Sequence, residues 1–269
     1  MISKNILRKN EKLNLQEGKV RMIKFRLQDE IAFITLNRPE KRNAIHPDMA
    51  NDIISKLDEI KNDASVKVLV ITGEGKSFCA GADLEYLKSL NDKSIRENEI
   101  DTENLAKMFL SIYNFPKPVI AAVNGAAIAG GCGLASVCDF IVADKVHSKF
   151  GYTEVKIGFI PAIVSIFLIK KSGQSIAKKL LLTGDIIDSK KAFEYGIVDY
   201  LADDAMKESI ELANRLKQNS SLSMEMTKDM IHLISNFNVA EAVDYCIRLN
   251  TISRTSEDFQ RGINNFLTK

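Results

Sequence analysis

One stretch constrains the fold of this chain more than any other: residues 118–139, with the sequence PVIAAVNGAAIAGGCGLASVCD. It opens with a continuous apolar, β-prone run at 119–123, breaks at Asn124 and reaches Gly130-Gly131 before a small-residue segment typical of a helix. A buried strand, a glycine turn and a helix in that order place several backbone N–H groups where an anion is stabilised. Glycine there lets a ligand approach the main chain closely. We therefore expect the rest of the chain to build a pocket around this turn.

A second glycine-bounded turn, Ala80–Asp83, follows the buried strand predicted at 68–72 and precedes a predicted helix. Either turn alone could simply be a tight crossing of the chain. Together, this turn and Ala129–Gly133 could direct one N–H group each at a single oxygen atom and form an oxyanion hole. Loss of one such donor typically raises a reaction barrier by about 3–4 kcal/mol. The arrangement would therefore matter for any reaction that passes through a thioester enolate.

Strands and helices alternate over the first three quarters of the chain, and the last quarter is helical in pattern. A hairpin is predicted at 24–37 and a helix from Pro47. The charged, weakly periodic segment 91–104 is the best candidate for a mobile loop or lid. The fold class is therefore α/β, with a polar leader at 1–21, a core at 22–202 and a helical C-terminal region at 203–269.

Charge and composition exclude several classes of partner. Lysine and arginine number 37 against 35 acidic residues, so neither a nucleic-acid nor a membrane surface is expected. Nowhere do eighteen apolar residues run together, as a membrane-spanning helix would require. The four cysteines form no CxxC pair and the three histidines lie far apart, so no metal site is visible. A reducing, cytoplasmic setting is expected.

Two glycine motifs resemble nucleotide sites but fail on spacing. Residues 73–77, GEGKS, resemble a phosphate loop, yet Val70 stands where that loop needs its first glycine. Gly131–Ser136 resembles the dinucleotide fingerprint, but the next strand-end acid, Asp144, comes too soon after it. Neither a nucleoside triphosphate site nor a nicotinamide site is favoured.

Four stretches resemble the enoyl-CoA hydratase/isomerase (crotonase) superfamily, and the resemblance runs from about Met22 to the C-terminus. They are ITLNRPEKRNAI (34–45), KSFCAGADLEYL (76–87), KPVIAAVNGAAIAGGCGLASVCD (117–139) and LLLTGDIIDSKKAFEYGIVD (180–199). The resemblance implies a spiral of ββα turns and a helical C-terminal region that trimerises, often with two trimers paired into a hexamer. It also implies acyl-CoA thioesters as substrates, with no cofactor besides the CoA that the substrate carries.

The same resemblance implies roles for individual residues. The oxyanion donors would be the backbone N–H groups of Ala82 and Gly130, and Glu154 would be the catalytic acid/base. The C-terminal FLTK (266–269) resembles the family's terminal Phe-x-x-Lys, which reaches the CoA of a neighbouring subunit. The expected substrate and CoA site includes Lys41, Arg42, Ala44, Ala80, Asp83, Leu84, Gly131, Gly133, Tyr152, Phe266 and Lys269. The cationic members of this set could equally be solvated surface residues.

The chain departs from the hydratase pattern in two places. Typical hydratases carry one glutamate in a Gly-Gly-Cys-Glu motif and a second about twenty residues on, so that two carboxylates hold one water. Here the first position is Gly133, which has no side chain, and only the second is kept, as Glu154. Residues 157–169, IGFIPAIVSIFLI, replace the usual I-P-G-A-G-G-T-Q-R-L.

These departures leave alternative functions open. A lone carboxylate suits transfer of a proton from C2 to C4, which is Δ3-Δ2-enoyl-CoA isomerisation. Gly133 and the 157–169 segment instead resemble methylglutaconyl-CoA hydratase-like members, and also dehydratases of 3-hydroxy-3-methylglutaryl thioesters. We expect hydration or its reverse first, with the missing acid supplied by a bound water, by Tyr152 or by a carboxylate of the substrate. Isomerisation is the alternative, and a non-catalytic paralogue that binds acyl-CoA or RNA also stays open.

Overall fold

A computed structural model describes residues 21–268 of the chain. The strands are β1 (Ile23–Gln28), β2 (Ile31–Leu36), β3 (Val68–Gly73), β4 (Ser77–Cys79), β5 (Val119–Val123), β6 (Ala126–Ile128), β7 (Phe140–Asp144), β8 (Lys149–Gly151), β9 (Ile186–Asp188) and β10 (Tyr200–Ala202). The helices are α1 (Pro47–Ile60), α2 (Leu84–Ser89), α3 (Ile95–Tyr113), α4 (Gly130–Ser136), α5 (Ala162–Thr183), α6 (Ser189–Glu194), α7 (Ala205–Leu216), α8 (Ser221–Ile234), α9 (Val239–Ser253) and α10 (Glu257–Leu267). Apart from Arg21, the expected polar leader lies outside the described residues.

Successive turns of the chain place one strand in each of two sheets. The larger sheet has the order β1-β2-β3-β5-β7-β10, and the smaller one β4-β6-β8-β9. Strands β2, β3, β5 and β7 run parallel to one another, and so do β4, β6 and β8. The edge strands β1 and β9 pair antiparallel with β2 and β8. Because β3-β4, β5-β6 and β7-β8 each lead into a helix, the chain winds as a spiral of ββα turns. The predicted α/β class and its spiral form are confirmed.

The first hairpin forms because its two turn residues adopt the left-handed backbone that such a turn needs. Asp29 and Glu30 have φ of 50° and 63°, which matches the twist of the two flanking strands. Strands β1 and β2 then pair antiparallel over their full length. Strands β3 and β5 are buried at every residue, as expected for parallel strands that are covered on both faces. The predicted hairpin and these two predicted strands are confirmed.

The segment 91–104 is helical from Ile95 onward, so the prediction of a loop is wrong. The Ser94 side chain accepts from the Glu97 amide while the Glu97 carboxylate accepts from the Ser94 amide, a capping box that starts α3. The second half of this helix enters the core through Met108 and Phe109. Its first half covers no apolar surface of the core, so charged residues occupy it and no helical period is visible in the sequence.

The C-terminal helices differ sharply from one another in burial. Leu212 and Ala213 of α7 pack on the larger sheet in one cluster with Val70 and Ile120. In contrast, α8, α9 and α10 contain no buried residue. Within residues 21–268, no helix combines the length and the apolar character needed to cross a bilayer.

Candidate active site

The turn that follows β4 is held by main-chain hydrogen bonds on one side only. Ile45 donates its N–H to the Gly81 carbonyl (N···O 2.7 Å), and Asp83 donates its N–H to the Ile45 carbonyl (2.9 Å). In such a parallel bridge the residue between the two bonded groups, Ala82, has its own N–H directed away from Ile45. That N–H donates to no acceptor among the described residues. It is therefore available to a ligand.

A buried ion pair fixes the end of this turn. Asp83 Oδ2 accepts from the Arg38 guanidinium over 2.8 Å, and its Oδ1 accepts from two amides at the start of α2. Arg38 also donates to the Ala44 carbonyl, which ties residues 38–45 to the turn. Burial would raise the pKa of Asp83, but the guanidinium and the amide donors outweigh it and lower that pKa. The sequence did not single out Arg38, because three cations share its loop.

The turn before α4 carries backbone strain at the residue next to the helix. Ala129 has φ 52° and ψ −124°, values that a residue with a Cβ rarely adopts. Its N–H donates to the Gly151 carbonyl over 2.7 Å, which helps to hold it there. Gly130 is the first residue of α4, so its N–H has no acceptor within the helix. It has none elsewhere in the described part of the chain either.

The two turns lie in direct contact. A Cβ on Gly131 would stand 2.1 Å from the Cys79 carbonyl oxygen, so only glycine fits where α4 meets the end of β4. One position earlier the contact opens: a Cβ on Gly130 would lie 3.7 Å from the Ala82 nitrogen, an ordinary distance. The structure thus brings the free N–H groups of Ala82 and Gly130 together.

Glu154 is a buried carboxylate that lies beside α4, the helix that begins at Gly130. It opens a 3₁₀ turn (Glu154–Ile157) three residues after β8, and β8 pairs alongside β6, the strand that leads into Ala129. Its side chain is buried, and Oε2 has no hydrogen-bond partner among residues 21–268. Burial raises the pKa of Glu154, against a weaker opposing effect of a backbone hydrogen bond. A buried carboxylate with a free oxygen and a raised pKa is typical of an acid/base group.

Tyr152 and Cys132 lie close to Glu154 but in the core. Tyr152 is fully buried, and its hydroxyl lies 3.0 Å from Ser136 Oγ. Burial, with a smaller contribution from the Glu154 charge, raises the pKa of Cys132 to about 12, so this thiol is no nucleophile at neutral pH. Tyr152 exposes no surface to a substrate, contrary to the expected contact, and can act only through its neighbours.

Three of the predicted CoA-site residues surround the first turn from outside. Lys41, Arg42 and Leu84 are exposed. The Lys41 ammonium pairs with Glu85 over 2.9 Å, and the Arg42 carbonyl accepts from the Ala80 N–H over 3.0 Å. The 41–44 loop and the start of α2 therefore form one rim beside the Ala82 amide.

The other predicted site residues are placed differently. Ala44 lies buried under this rim, and Gly131 and Gly133 are buried within α4. Phe266 is 80% exposed at the end of α10, so it does not pack against the site of its own chain. Lys269 lies outside the described residues.

A small cavity of about 50 Å³ opens beside the two amides. It touches both Ala82 and Gly130, and its wall includes Tyr86, Asp101 and Leu105. The Tyr86 hydroxyl donates to Asp101 over 2.5 Å, and burial together with this carboxylate raises the pKa of Tyr86 to about 12. Sequence reasoning missed Asp101 because it lies in the segment taken for a loop.

A larger cavity of about 630 Å³ lies elsewhere, between α5 and α8. Its lining includes Tyr113, Phe167 and Lys228, but neither of the two free amides. We therefore identify the smaller cavity, which touches both donors, as the centre of the candidate site.

Comparisons with known proteins all identify enoyl-CoA hydratases and their family as similar to this chain. A family model described as Enoyl-CoA hydratase/isomerase matches residues 26–269. A relative from Thermus thermophilus, assigned provisionally as an enoyl-CoA hydratase, is 37% identical over 241 residues, which are 89% of this chain and 95% of that protein. The 2,3-dehydroadipyl-CoA hydratase of Escherichia coli is 31% identical, over 90% of this chain and 94% of its own. A crystal structure of an enoyl-CoA hydratase from Shewanella pealeana superposes with a TM-score of 0.89 at 29% identity, covering 96% of each chain.

Proposed function

This chain belongs to the enoyl-CoA hydratase/isomerase family, and on that premise we propose that it hydrates an enoyl-CoA thioester or catalyses the reverse dehydration. The observation that carries the proposal is that two free backbone N–H groups, from Ala82 and Gly130, lie together at the start of α4, and that Glu154, a buried carboxylate with a free oxygen, lies beside the same helix. CoA enters as part of the substrate, and the reaction as proposed uses no further cofactor.

The two amides stabilise the enolate. Both N–H groups donate to the thioester carbonyl oxygen, which gains negative charge when a nucleophile adds at C3 of the enoyl group. Since the donors are main-chain groups fixed by their own turns, they need no rearrangement as the charge develops. Each donor should contribute about 3–4 kcal/mol to the barrier reduction.

Glu154 moves the proton in this mechanism. The carboxylate takes a proton from a water molecule while the water oxygen bonds to C3 and the C2–C3 π electrons move toward the thioester oxygen. The protonated Glu154 then returns the proton to C2, so that one water molecule has been added and the carboxylate is regenerated. A carboxyl group with a raised pKa can act in both directions.

The proposed substrate has a short acyl group, because the cavity that touches both donors is small. A branched substrate such as 3-methylglutaconyl-CoA is supported by Gly133 and by residues 157–169, which resemble the subgroup that acts on such thioesters. Asp101 lines the same cavity, so the terminal carboxylate of such a substrate has to lie away from Asp101. Kinetics with crotonyl-CoA and 3-methylglutaconyl-CoA would compare the two substrates directly.

The second candidate reaction is Δ3-Δ2-enoyl-CoA isomerisation. It is favoured by the absence of a side chain at Gly133, which leaves Glu154 as the carboxylate that could move a proton from C2 to C4. Incubation in deuterated water with crotonyl-, 3-methylglutaconyl- and 3-enoyl-CoA separates the reactions by product mass. A product heavier by one solvent water indicates hydration. A moved double bond without added water indicates isomerisation.

Gly130→Ala tests the proposed site without disturbing the fold. Gly130 has no positive φ, and the new Cβ would meet its nearest neighbours at 3.5 Å or more, so we expect a Tm within about 3 °C of wild type. The methyl group would stand beside the Ala82 nitrogen, where the thioester oxygen must bind. We expect kcat/KM to fall by about 100-fold or more. An unchanged kcat/KM in the folded variant would exclude this oxyanion site.

We further propose that the chain assembles as a trimer or as a hexamer of two trimers. Helices α8 to α10 contain no buried residue within one chain, and apolar side chains such as Ile231, Val243, Phe259 and Ile263 stay exposed on them. Apolar surface of this kind usually meets another protein surface. Sedimentation equilibrium should give three or six times the chain mass, and a monomer at micromolar concentration would contradict the assembly.

The four free cysteines support a cytoplasmic location.

A further inference from the structure

We infer that Gly133 and Val164 are a matched pair that excludes a second acid/base carboxylate from position 133 and thereby restricts which enoyl thioesters the protein hydrates quickly. The inference rests on the proposed hydratase function and extends it from the reaction to the residues that restrict it. Gly133 lies in α4, and Val164 lies in the first turn of α5.

Val164 fills the space into which a side chain at position 133 would project. A Cβ on Gly133 would lie 2.2 Å from Val164 Cγ1 and 2.7 Å from Val164 Cβ, with Phe109 Cε1 at 3.6 Å. Carbon atoms that are not bonded prefer separations of about 3.5–4.0 Å. Since one of the two short contacts is with the valine Cβ itself, no change of rotamer removes it. A glutamate at position 133 is therefore incompatible with a valine at position 164.

The surrounding contacts keep Val164 in place. Ser165 donates its N–H to the Pro161 carbonyl over 3.1 Å, which fixes the first turn of α5. A valine in a helix has one strongly preferred rotamer. Phe109, on the other side of the Gly133 position, is fully buried and packs against Phe167 with ring centroids 6.2 Å apart. The pocket around position 133 is therefore closed on both sides.

The two departures from the hydratase pattern explain each other. Aligned on Pro161, the usual I-P-G-A-G-G-T places a glycine at position 164, and the usual Gly-Gly-Cys-Glu places a glutamate at position 133. This chain has the reverse, with glycine at 133 and the larger residue at 164. The Val164 side chain thus occupies the space where the side chain of a glutamate at position 133 would begin.

The consequence for catalysis follows from the number of acceptors that hold the water. With two carboxylates, one orients the attacking water while the other serves C2. With Glu154 alone, the water lacks its second acceptor, so a substrate with no polar acyl group should react slowly. We expect crotonyl-CoA to be such a substrate for the wild-type protein. Gly133→Glu combined with Val164→Gly should supply the second carboxylate and the room for it.

Thermal stability tests the steric conflict between a side chain at position 133 and Val164, and it does so independently of any activity. Gly133→Ala adds only a Cβ, and we expect it to lower Tm by about 5 °C or more. Combined with Val164→Gly, the same substitution should cost almost nothing further, so the two Tm shifts should be strongly non-additive. Val164→Ala is the graded control, because it keeps the Cβ that would lie 2.7 Å from the added atom. It should rescue less than Val164→Gly, and additive shifts would overturn the pair.

The rate of crotonyl-CoA hydration tests the claim that the pair withholds a second carboxylate. The Gly133→Glu/Val164→Gly protein should show at least about a tenfold higher kcat/KM than wild type, and adding Glu154→Gln should abolish the gain. Non-additive Tm shifts without this gain would overturn the claim that a second carboxylate is what the pair withholds. Failure of the proposed function would look different: neither wild type nor the double variant would turn over any enoyl-CoA, while the non-additive Tm shifts would still support the steric pair.

Discussion

The two halves of the active site are made of different parts of the chain. The donor half is main chain, with the N–H groups of Ala82 and Gly130 fixed by the backbone of two turns. The acid/base half is side chain: Glu154 is its proposed acid/base group, and Val164 fills the space beside Gly133. The same substitution, an added Cβ, therefore meets backbone in one half and a side chain in the other.

This difference predicts which half can accept a side chain once a second residue is replaced. A Cβ on Gly131 would meet the Cys79 carbonyl oxygen, which every amino acid carries, so no second mutation can remove the obstacle. A Cβ on Gly133 would meet Val164, which a second mutation can replace. Proteins of this fold can therefore keep the two donors and change the number of carboxylates. Substitutions in the two halves should fail in different ways.

Gly131→Ala should have the largest effect, because it forces the two turns of the donor half apart. The added Cβ would lie 2.1 Å from the Cys79 oxygen, and we expect a loss of at least about 3 kcal/mol in unfolding free energy together with loss of activity. Urea denaturation measures the first quantity. Gly262→Ala is the matched control in α10, where nothing lies within 4 Å of the new atom, and it should stabilise by about 0.5–1 kcal/mol. Equal stabilities would contradict the close contact.

Glu154→Gln should separate activity from stability in the acid/base half. The amide cannot accept and return a proton, so kcat/KM should fall by about 10²- to 10⁴-fold. Stability at neutral pH should rise, because the variant no longer keeps a buried carboxylate that lacks a partner on Oε2. Glu194→Gln, at an exposed carboxylate paired with Lys191, is the control and should change neither quantity appreciably. A variant with undiminished hydration would remove Glu154 from the mechanism.

Local signals account for the parts of the fold that the sequence predicts. The hairpin and strands β3 and β5 are visible as short apolar runs next to turn residues, and their structure follows from those residues. The first half of α3 is invisible to periodicity, because it covers no core and carries charges on every side. The one local signal for a helix start is Ser94 followed three residues later by Glu97, which is the spacing of a capping box. The lack of a helical apolar period in the following residues outweighed this signal.

The candidate site also contains some features that local sequence predicts and others that depend on packing. Both glycine turns are local features, so the sequence alone suggests that each turn could direct one N–H group at a shared oxygen atom. The family resemblance identified Ala82 and Gly130 as the two donors. The Arg38–Asp83 pair joins residues 45 positions apart, and the contact of Gly133 with Val164 joins two helices. Such contacts depend on how elements pack, and no local pattern reports them. Family resemblance supplied Glu154, which as an isolated residue would read as a surface acid.

The pH dependence should report the ionisation of Glu154 alone. Burial raises its pKa above the ordinary value of 4.5, so kcat/KM should fall on the acid side through a single ionisation with a midpoint above 4.5. Below that midpoint the loss should be about tenfold per pH unit. The same shift favours the folded state only while the carboxyl is protonated, and this contribution is lost as pH rises through the folded-state pKa. The Tm advantage of Glu154→Gln over wild type should therefore grow from pH 4.5 to pH 8, and a constant difference would contradict the raised pKa.

Ala129→Gly should have the smallest effect, and it tests whether the donor half is held under strain. Alanine at φ 52° and ψ −124° costs about 1–3 kcal/mol, whereas glycine loses roughly 0.5–1 kcal/mol more chain entropy on folding. The balance should be a gain of about 1 kcal/mol in unfolding free energy. Ala127→Gly, in β6, has no positive φ to relieve and should instead lose about 1 kcal/mol. Because the Gly130 N–H directly follows the strained residue, kcat/KM should fall slightly as stability rises. A stability loss as large as that of Ala127→Gly would show that the backbone at Ala129 stores no strain.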